Sequence, residues 1–213
     1  MAMQPLSAPP VRVQSFPIYD THRLSGATLS AQTLIFFQNG LGANADGFTS
    51  APYKTLAETN LSGRGLPNGQ AYRVDRVGVM ARVAEQSAAA AAMDSAKQLC
   101  DVSNILRNCV LQYQAGAELV TYGPASFFPG GGGVVSAAAP AGGATTEFGQ
   151  IAPQNGVQSH EAIWRLSEKL ILRDGQSFFF NLKQTRDIST QDSSAKYDLS
   201  ICLWGVSFQE VQG

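Results

Sequence analysis

Residues 170–183 read LILRDGQSFFFNLK, and this stretch decides the fold. Apolar and polar side chains alternate on both sides of Asp174-Gly175, which is typical of β-strands with one buried face. Asp-Gly supplies the positive φ angles of a tight turn, so we predict that the two flanking strands form a hairpin. The alternation also precedes this stretch and returns over residues 197–203. The range 163–206 therefore predicts three strands of an antiparallel sheet with one solvated face.

Further strands are predicted upstream. Residues 33–37 (TLIFF) suit a short buried strand, and the alternation over 109–119 indicates another. Within 71–83 the apolar parity changes at Asp75-Arg76, which is the effect of one inserted residue, a β-bulge. About six strands can be assigned in this way, so the remaining strands of a larger sandwich must lie in the long connections or near the N-terminus.

One helix is predicted near residues 95–108, within a segment that begins at Asp94. Its apolar residues recur at helical spacing, and Asp101 or Ser103 is a plausible N-cap. The alanine-rich segment before it, residues 84–93, is expected to be a loop or a weak helical turn.

Two long connections, residues 38–68 and 123–158, are rich in glycine and proline. Connections of this length in one domain are usually functional or rest on a neighbouring molecule. Residues 1–17 contain four prolines, which favour an extended N-terminal arm. Such an arm is either a frayed terminus or a strap that crosses onto another subunit.

Bulk composition fits a single folded domain spanning residues 1–213, with 44% hydrophobic residues. Only 15% of residues are charged, against about 25% in typical globular proteins, so parts of the surface are expected to be covered by neighbours. The net charge of −1 gives no strong nucleic-acid signal. Neither a secretory signal nor a transmembrane segment is expected, which favours synthesis inside a cell.

The sequence contains no recognisable catalytic, cofactor or metal motif, so we do not expect an enzyme. Glycines 130–133 lack the Lys-Ser/Thr of a phosphate loop. A triad of His160-Glu161 with Asp174 or Asp187 lacks a nucleophile motif. The two histidines, His22 and His160, have no zinc-ligand spacing. The three cysteines, which we expect to be buried thiols, are Cys100, Cys109 and Cys202.

Two surface features allow binding interpretations. The densest basic cluster comprises Arg64, Arg73, Arg76 and Arg82, which solvation or ion pairing between subunits explains. An unbroken strand would point Arg73 and Arg76 to opposite faces, although a bulge would bring them together. Three aromatic side chains that could floor a sugar site, or simply pack in the core, are Tyr113, Trp164 and Trp204.

Four segments resemble jelly-roll capsid proteins of tailless icosahedral bacteriophages. Residues 53–61 (YKTLAETNL) precede Gly65-Leu66-Pro67, and the others are 127–132 (FFPGGG), 170–178 and 203–205 (LWG). The order of variable N-terminal arm, strand, long glycine-rich connection, strands and terminal hairpin is also similar. The resemblance covers about two thirds of the chain.

This resemblance implies an all-β antiparallel sandwich, a single jelly roll of two four-stranded sheets. It further implies a virion structural protein, made in the host cytoplasm, that acts as the major capsid protein of an icosahedral shell. Its partners would be other copies of itself and minor capsid or penton proteins. We expect interface contacts from Tyr53, Leu56, Phe127, Phe128 and Pro129.

Two alternatives remain open from the sequence. The first is a receptor- or carbohydrate-binding β-sandwich, such as a phage spike or fibre head, which would form a monomer or a discrete trimer. The second, an enzyme on a β-sandwich or cupin barrel, would need a cluster of metal ligands.

Overall fold

Antiparallel strands dominate the computed structural model, which describes residues 11–49, 53–85, 92–130 and 163–210. A helix and a short 3-10 turn interrupt the strands, so the expected all-β class with one short helix is confirmed. The strands are β1 (Val11–Ser15), β2 (Ile18–Ser25), β3 (Thr28–Leu29), β4 (Thr33–Phe36), β5 (Gln70–Glu85), β6 (Cys109–Ala115), β7 (Glu118–Pro124), β8 (Trp164–Arg173), β9 (Phe178–Gln184), β10 (Ile188–Ser189) and β11 (Lys196–Glu210). The helix is α1 (Ala92–Asn108), and the 3-10 turn is Ala125–Phe127.

The strands form two main sheets that share one buried core. In sheet I, β1 and β2 lie along the same edge of β11, followed by β5 and β8. Sheet II has the order β4-β9-β6-β7, and β3 and β10 form a small separate pair. The sheets are therefore the two layers of a sandwich.

The pairing of the strands is nested. Strands β1 and β2 pair with β11, β3 with β10, β4 with β9, β5 with β8, and β6 with β7. Pairing of β11 with β5 and of β9 with β6 then joins these pairs side by side. Strands near the N-terminus thus pair with strands near the C-terminus, and strands closer to the middle of the sequence pair with each other.

Strand β11 shows how the alternation builds the core. Its side chains at Tyr197, Leu199, Ile201 and Leu203 are fully buried, as the sequence pattern predicts. From sheet II, the side chains of β6 and β9 at alternate positions enter the same cluster. The even-numbered residues of β11 therefore point to the outer face of sheet I.

The predicted bulge in β5 is present. Trp204 of β11 pairs with Arg76, but the next residue, Gly205, pairs with Val74, which leaves Asp75 as the extra residue. A bulge of this kind reverses the parity of all following side chains. The single insertion explains why the apolar positions of this strand change from even to odd numbers.

The bulge also places Arg73 and Arg76 on the same, outer face of sheet I, since they pair with the outward-pointing Val206 and Trp204. At Gly205 the two strands approach closely, and an added Cβ would lie 1.8 Å from the carbonyl oxygen of Arg73. Glycine is therefore required there by contact with backbone and not by a positive φ angle.

Helix α1 extends across the predicted range, but neither proposed N-cap residue lies at its start. Asp101 is inside the helix and buried. Its carboxylate accepts hydrogen bonds from the backbone N–H of Gln191 at 2.9 Å and from the hydroxyl of Tyr197 at 2.6 Å. The prediction of Asp101 or Ser103 as the N-cap is therefore wrong, and the hydrogen bonds of Asp101 instead fasten the helix to the chain before β11.

The predicted hairpin at Asp174-Gly175 is wrong. Gly175 has a φ of 67°, as the turn requires, but β8 belongs to sheet I and β9 to sheet II. The turn therefore joins the two layers instead of two neighbouring strands. The alternation of apolar residues shows which side of a strand is buried but not which strand it pairs with. Because β8 and β9 face the same core from opposite sheets, they show the alternation that a hairpin would show.

Two strand assignments also change. The predicted single strand over 109–119 is a hairpin of β6 and β7, turned at Gly116 with a φ of 59°. Residues Val11–Ser15 of the predicted arm are extended but pair with β11 of their own chain; residues 1–10 lie outside the described residues. Of the strands missing from the sequence assignment, β1, β2 and β3 lie near the N-terminus as predicted, whereas β10 lies in neither long connection and β7 reaches one only with its last two residues.

Candidate functional site

A group of charged side chains is buried at the edge of the sandwich where β2 and β4 meet. Asp20 and His22 point inward from β2, because the register aligns them with the buried Ile201 and Leu199 of β11. Lys54 comes from the connection between β4 and β5 and is 2% exposed. We call Asp20, His22, Asp46 and Lys54 the clamp.

Lys54 is the centre of the clamp. Its ammonium lies 2.6 Å from Asp20 Oδ1 and 2.6 Å from Asp46 Oδ2. The other oxygen of Asp20 accepts the backbone N–H of Phe37 at 2.7 Å, and the other oxygen of Asp46 accepts Asn39 Nδ2 at 3.0 Å. All four carboxylate oxygens therefore have partners, which a buried charge needs in order to be tolerated.

The backbone around the clamp is held in uncommon conformations. Phe37 and Asp46 are the two non-glycine residues with positive φ among the described residues, at 67° and 57°. Gly47 follows at a φ of 87°, where an added Cβ would lie 1.9 Å from the carbonyl oxygen of Arg23. Such positions persist only where surrounding contacts determine them, and here the carboxylates of Asp20 and Asp46 provide those contacts.

Burial changes the proton affinities of the clamp. It raises the pKa of Asp20, and the ammonium of Lys54 opposes that rise. Burial lowers the pKa of His22, while the carboxylate of Asp46 opposes that fall. A neutral imidazole fits the geometry, since Nε2–H can donate to the carbonyl oxygen of Ile35 at 2.8 Å. His22 thereby connects sheet I to sheet II.

The donor set of the clamp superficially resembles a metal site, because ligand atoms of Asp20, His22 and Asp46 lie within 4.8 Å of one another. The residues do not fit a metal, however. The ammonium of Lys54 already lies between the two carboxylates and supplies the positive charge. The clamp is a structural feature that fastens the long connection to both sheets.

Sequence reasoning did not find the clamp, because β2 was not assigned as a strand. The signal was nevertheless present. In IYDTHRLS, residues 18–25, the ionisable Asp20 and His22 share parity with Ile18 and Leu24. Ionisable residues on the apolar parity of a strand indicate a buried polar network, once the strand itself is recognised.

The outer face of sheet I carries an unusual apolar surface. Val13 and Phe208 are directly opposite one another on β1 and β11, and Ile171 of β8 lies opposite Arg73 of β5. Val13 is 59% exposed and Ile171 57% exposed. We define the outer patch as Val11, Val13, Ile171, Val206 and Phe208. A solvated sheet face is normally polar, and the apolar outer patch departs from that pattern.

The residues expected at an interface divide into two groups. Tyr53, Leu56, Phe127 and Pro129 are exposed, as a contact role requires. Phe128 is only 2% exposed, and its ring packs 5.4 Å from that of Trp164. Phe128 is therefore removed from the interface set, since its side chain belongs to the core.

The four arginines of the basic cluster do not form one stripe. Arg82 lies 3.3 Å from the buried carboxylate of Asp198, which Arg23 also contacts at 2.8 Å. Arg64 lies over the ring of Phe179. Arg73 contacts Asp75 at 3.1 Å. The ion pairs of Arg73 and Arg82 thus lie within the chain, whereas the sequence prediction was solvation or pairing between subunits.

The remaining candidates also have local roles. Asp174 accepts the backbone N–H of Gly69, and Asp187 accepts that of Ala31. Tyr113 is buried, whereas Trp164 is 49% exposed, contrary to the expectation of core packing. The third aromatic side chain, Trp204, is half-buried. His160, Glu161 and glycines 131–133 lie outside the described residues.

The three thiols are not alike. Cys109 and Cys202 are buried, and burial raises the pKa of each to about 12. Cys100 is exposed, so the expectation of three buried thiols is wrong for this residue. Its position on the surface of α1 explains the difference.

Comparisons with models of protein families, with curated proteins and with solved structures gave no match to this chain. In the part of the chain that the structure describes, no helix has the length and apolar character needed to cross a membrane.

Proposed function

We propose that this chain is a virion structural protein, a jelly-roll subunit that self-assembles as the major protein of an icosahedral capsid. The nested strand order supports the jelly-roll part of the proposal. Folding a long antiparallel hairpin back on itself produces this order, with the first strand beside the last, one layer of five strands in which β1 and β2 share an edge, and one layer of four. Double-sheet jelly rolls are common in viral capsids, although lectins and cupins also use them.

The outer patch is the observation that carries the proposal of self-assembly. Its five apolar side chains lie on three strands of one sheet face, and the guanidinium of Arg73 lies 5.9 Å from the ring of Phe208 among them. Interface centres are typically apolar and rich in aromatic and arginine side chains. A repeated contact of one such surface is what a symmetric shell needs.

The clamp supports the proposal in a second way. It holds the connection between β4 and β5 by buried ion pairs, while the neighbouring Tyr53 and Leu56 remain exposed. A contact residue on a fixed connection loses little conformational freedom on assembly, which lowers the cost of association. Phe127 offers a further exposed contact on the 3-10 turn.

The test replaces two exposed residues of the outer patch, Val13→Asp together with Ile171→Asp. Sedimentation velocity of the wild type should show large assemblies, and the double variant should sediment as a small species. The matched control, Thr28→Asp with Ser177→Asp, adds the same charge at exposed polar positions and should assemble as the wild type does.

Equal assembly of the patch variant and the control would contradict the role of the outer patch. A wild type that sediments only as a monomer or a discrete trimer would contradict the shell and favour a receptor- or carbohydrate-binding sandwich. Phe127→Asp alone tests the contact on the 3-10 turn, without disturbing the buried Phe128.

A further inference from the structure

A groove crosses the outer face of sheet I, because the strands are irregular at the same level. The edge strand is interrupted at Phe16-Pro17, between β1 and β2, and β5 has its bulge at Asp75. On β8, Leu170 pairs with Val74 and Arg165 pairs with Arg76, the residues on either side of that bulge. Residues 166–169 of β8 therefore lie between two pairs that are only two residues apart on β5. The resulting transverse groove has a volume of about 460 Å³, a size typical of small-molecule sites.

The transverse groove has a surplus of positive charge. Arg76 and Arg165, which both line it, are directly opposite one another on β5 and β8. Lys169 also lines it, and Asp75 supplies the one carboxylate among its described lining residues. That carboxylate is already contacted by Arg73 at 3.1 Å and by Lys169 at 3.7 Å.

One acidic side chain of β8, Glu168, lies in the same segment as Lys169 but does not line the groove. Its charge also acts on Tyr122, whose pKa is raised by burial and further by the Tyr113 and Glu168 side chains. Tyr122 packs against Phe128.

The groove also has an apolar wall. Phe16, Leu166 and Trp204 line it beside the cationic side chains. The indole of Trp204 is fixed against Gly78, where an added Cβ would lie 2.8 Å from the ring. Cationic groups next to a held aromatic ring are the combination that recognises a phosphate joined to a flat base.

We infer that the transverse groove binds a nucleotide phosphate, as single-stranded nucleic acid presents it. The guanidinium of Arg165 contacts the phosphate, because its donors match the phosphate oxygens, and the ammonium of Lys169 contacts it as a point charge. Trp204 contacts the attached sugar or base. The net charge of the chain gives no such signal, because it averages a local surplus over all 213 residues. The inference does not rest on the proposed shell, although Val206 of the outer patch also lines the groove.

Fluorescence anisotropy with fluorescein-labelled hexathymidylate tests the site. Arg165→Gln with Lys169→Gln should raise the dissociation constant at least about tenfold, because two charge-assisted contacts are lost. The control Lys183→Gln with Arg186→Gln removes the same charge at exposed positions away from the groove, and should change it by less than about twofold. Both target side chains are exposed; if the double variant does not fold, Lys169→Gln alone should give a smaller loss in the same direction.

Competition identifies the ligand class. Adenosine monophosphate should displace the probe at lower concentrations than inorganic phosphate or adenosine. The inference is overturned if the wild type does not bind the probe, if the control loses as much binding as the groove variant, or if inorganic phosphate or hexaglutamate competes as well as the nucleotide. Sedimentation of the groove variants, measured in parallel, should match the wild type, which separates this result from a failure of assembly.

Discussion

Sheet I carries ionisable groups on both of its faces, and the two sets are arranged in opposite ways. On the inner face, the clamp places one ammonium between two carboxylates whose oxygens all have partners. On the outer face, the transverse groove gathers cationic side chains around a single carboxylate. The buried charges of the clamp are paired, because an unpaired charge in the interior would carry a large desolvation cost. The exposed set on the outer face is where we infer a bound phosphate.

We expect the largest effect on stability from removing the cation of the clamp. Lys54→Met would leave the carboxylates of Asp20 and Asp46 buried without their counter-ion. We expect the free energy of unfolding to fall by about 3–5 kcal/mol, the usual effect of breaking a buried ion pair. Urea denaturation followed by circular dichroism measures it.

Two further variants sharpen that measurement. Lys183→Met, at an exposed position of β9, should change stability by no more than about 0.5 kcal/mol. Adding Asp20→Asn to Lys54→Met should restore part of the loss, since one uncompensated charge is removed. If Lys54→Met costs no more than Lys183→Met, the clamp is not a structural feature.

The next largest effect is expected at the bulge that shapes the groove. Gly205→Ala would place a Cβ 1.8 Å from the carbonyl oxygen of Arg73, and a backbone atom cannot move away at low cost. We expect a loss of about 2–3 kcal/mol, as overpacking typically gives. Gly116→Ala is a useful comparison, because an added Cβ there has open space and only the positive φ opposes it. Equal effects of the two substitutions would show that the close contact at Gly205 is not required.

A smaller effect distinguishes the neutral histidine of the clamp. Burial lowers the pKa of His22, so the unfolded state takes up a proton near pH 6.5 that the folded state does not. Stability should therefore fall as the pH drops below that value, by up to about 1.4 kcal/mol per pH unit. The raised pKa of Asp20 acts in the opposite sense as the pH falls toward the ordinary carboxyl range.

His22→Gln isolates this contribution. The advantage of the wild type over the variant in free energy of unfolding should shrink between pH 7.5 and pH 5.5, since glutamine does not titrate. Urea denaturation at several pH values measures the difference. A constant or growing advantage toward low pH would show that the imidazole is not held neutral.

The smallest expected effect leaves stability unchanged. Cys100 should react quickly with a maleimide under native conditions, while Cys109 and Cys202 should react only on unfolding, because burial raises the pKa of both thiols to about 12. Mass spectrometry after timed labelling counts the modified thiols. Rapid native labelling of more than one thiol would contradict the described burial.

Local patterns predicted the strands of this protein better than their partners. Alternation located β11 and the bulge at Asp75, since both depend on neighbouring residues alone. It misassigned the turn at Asp174-Gly175. The strands on either side each bury one face, and they would do so whether the turn made a hairpin or connected the two sheets. Gly116 was overlooked for a related reason, as the alternation continues past it into β7.

The clamp and the outer patch were beyond local pattern for a different reason. The clamp joins Asp20 and Lys54, which are 34 residues apart in sequence, through a contact that only the folded edge creates. The outer patch depends on the register of β1 and β8 against their neighbours. Tyr53, Leu56 and Phe127 are exposed and their interface role stays a prediction, whereas the buried Phe128 was not distinguished from the adjacent Phe127.

Negative-stain electron microscopy of the purified wild-type protein tests the proposed self-assembly most directly. We expect closed shells of uniform diameter, or curved sheets that are fragments of them, and their loss in the variant Val13→Asp with Ile171→Asp. Only small discrete particles from the wild type, under conditions where it remains folded, would contradict a capsid role for this sandwich.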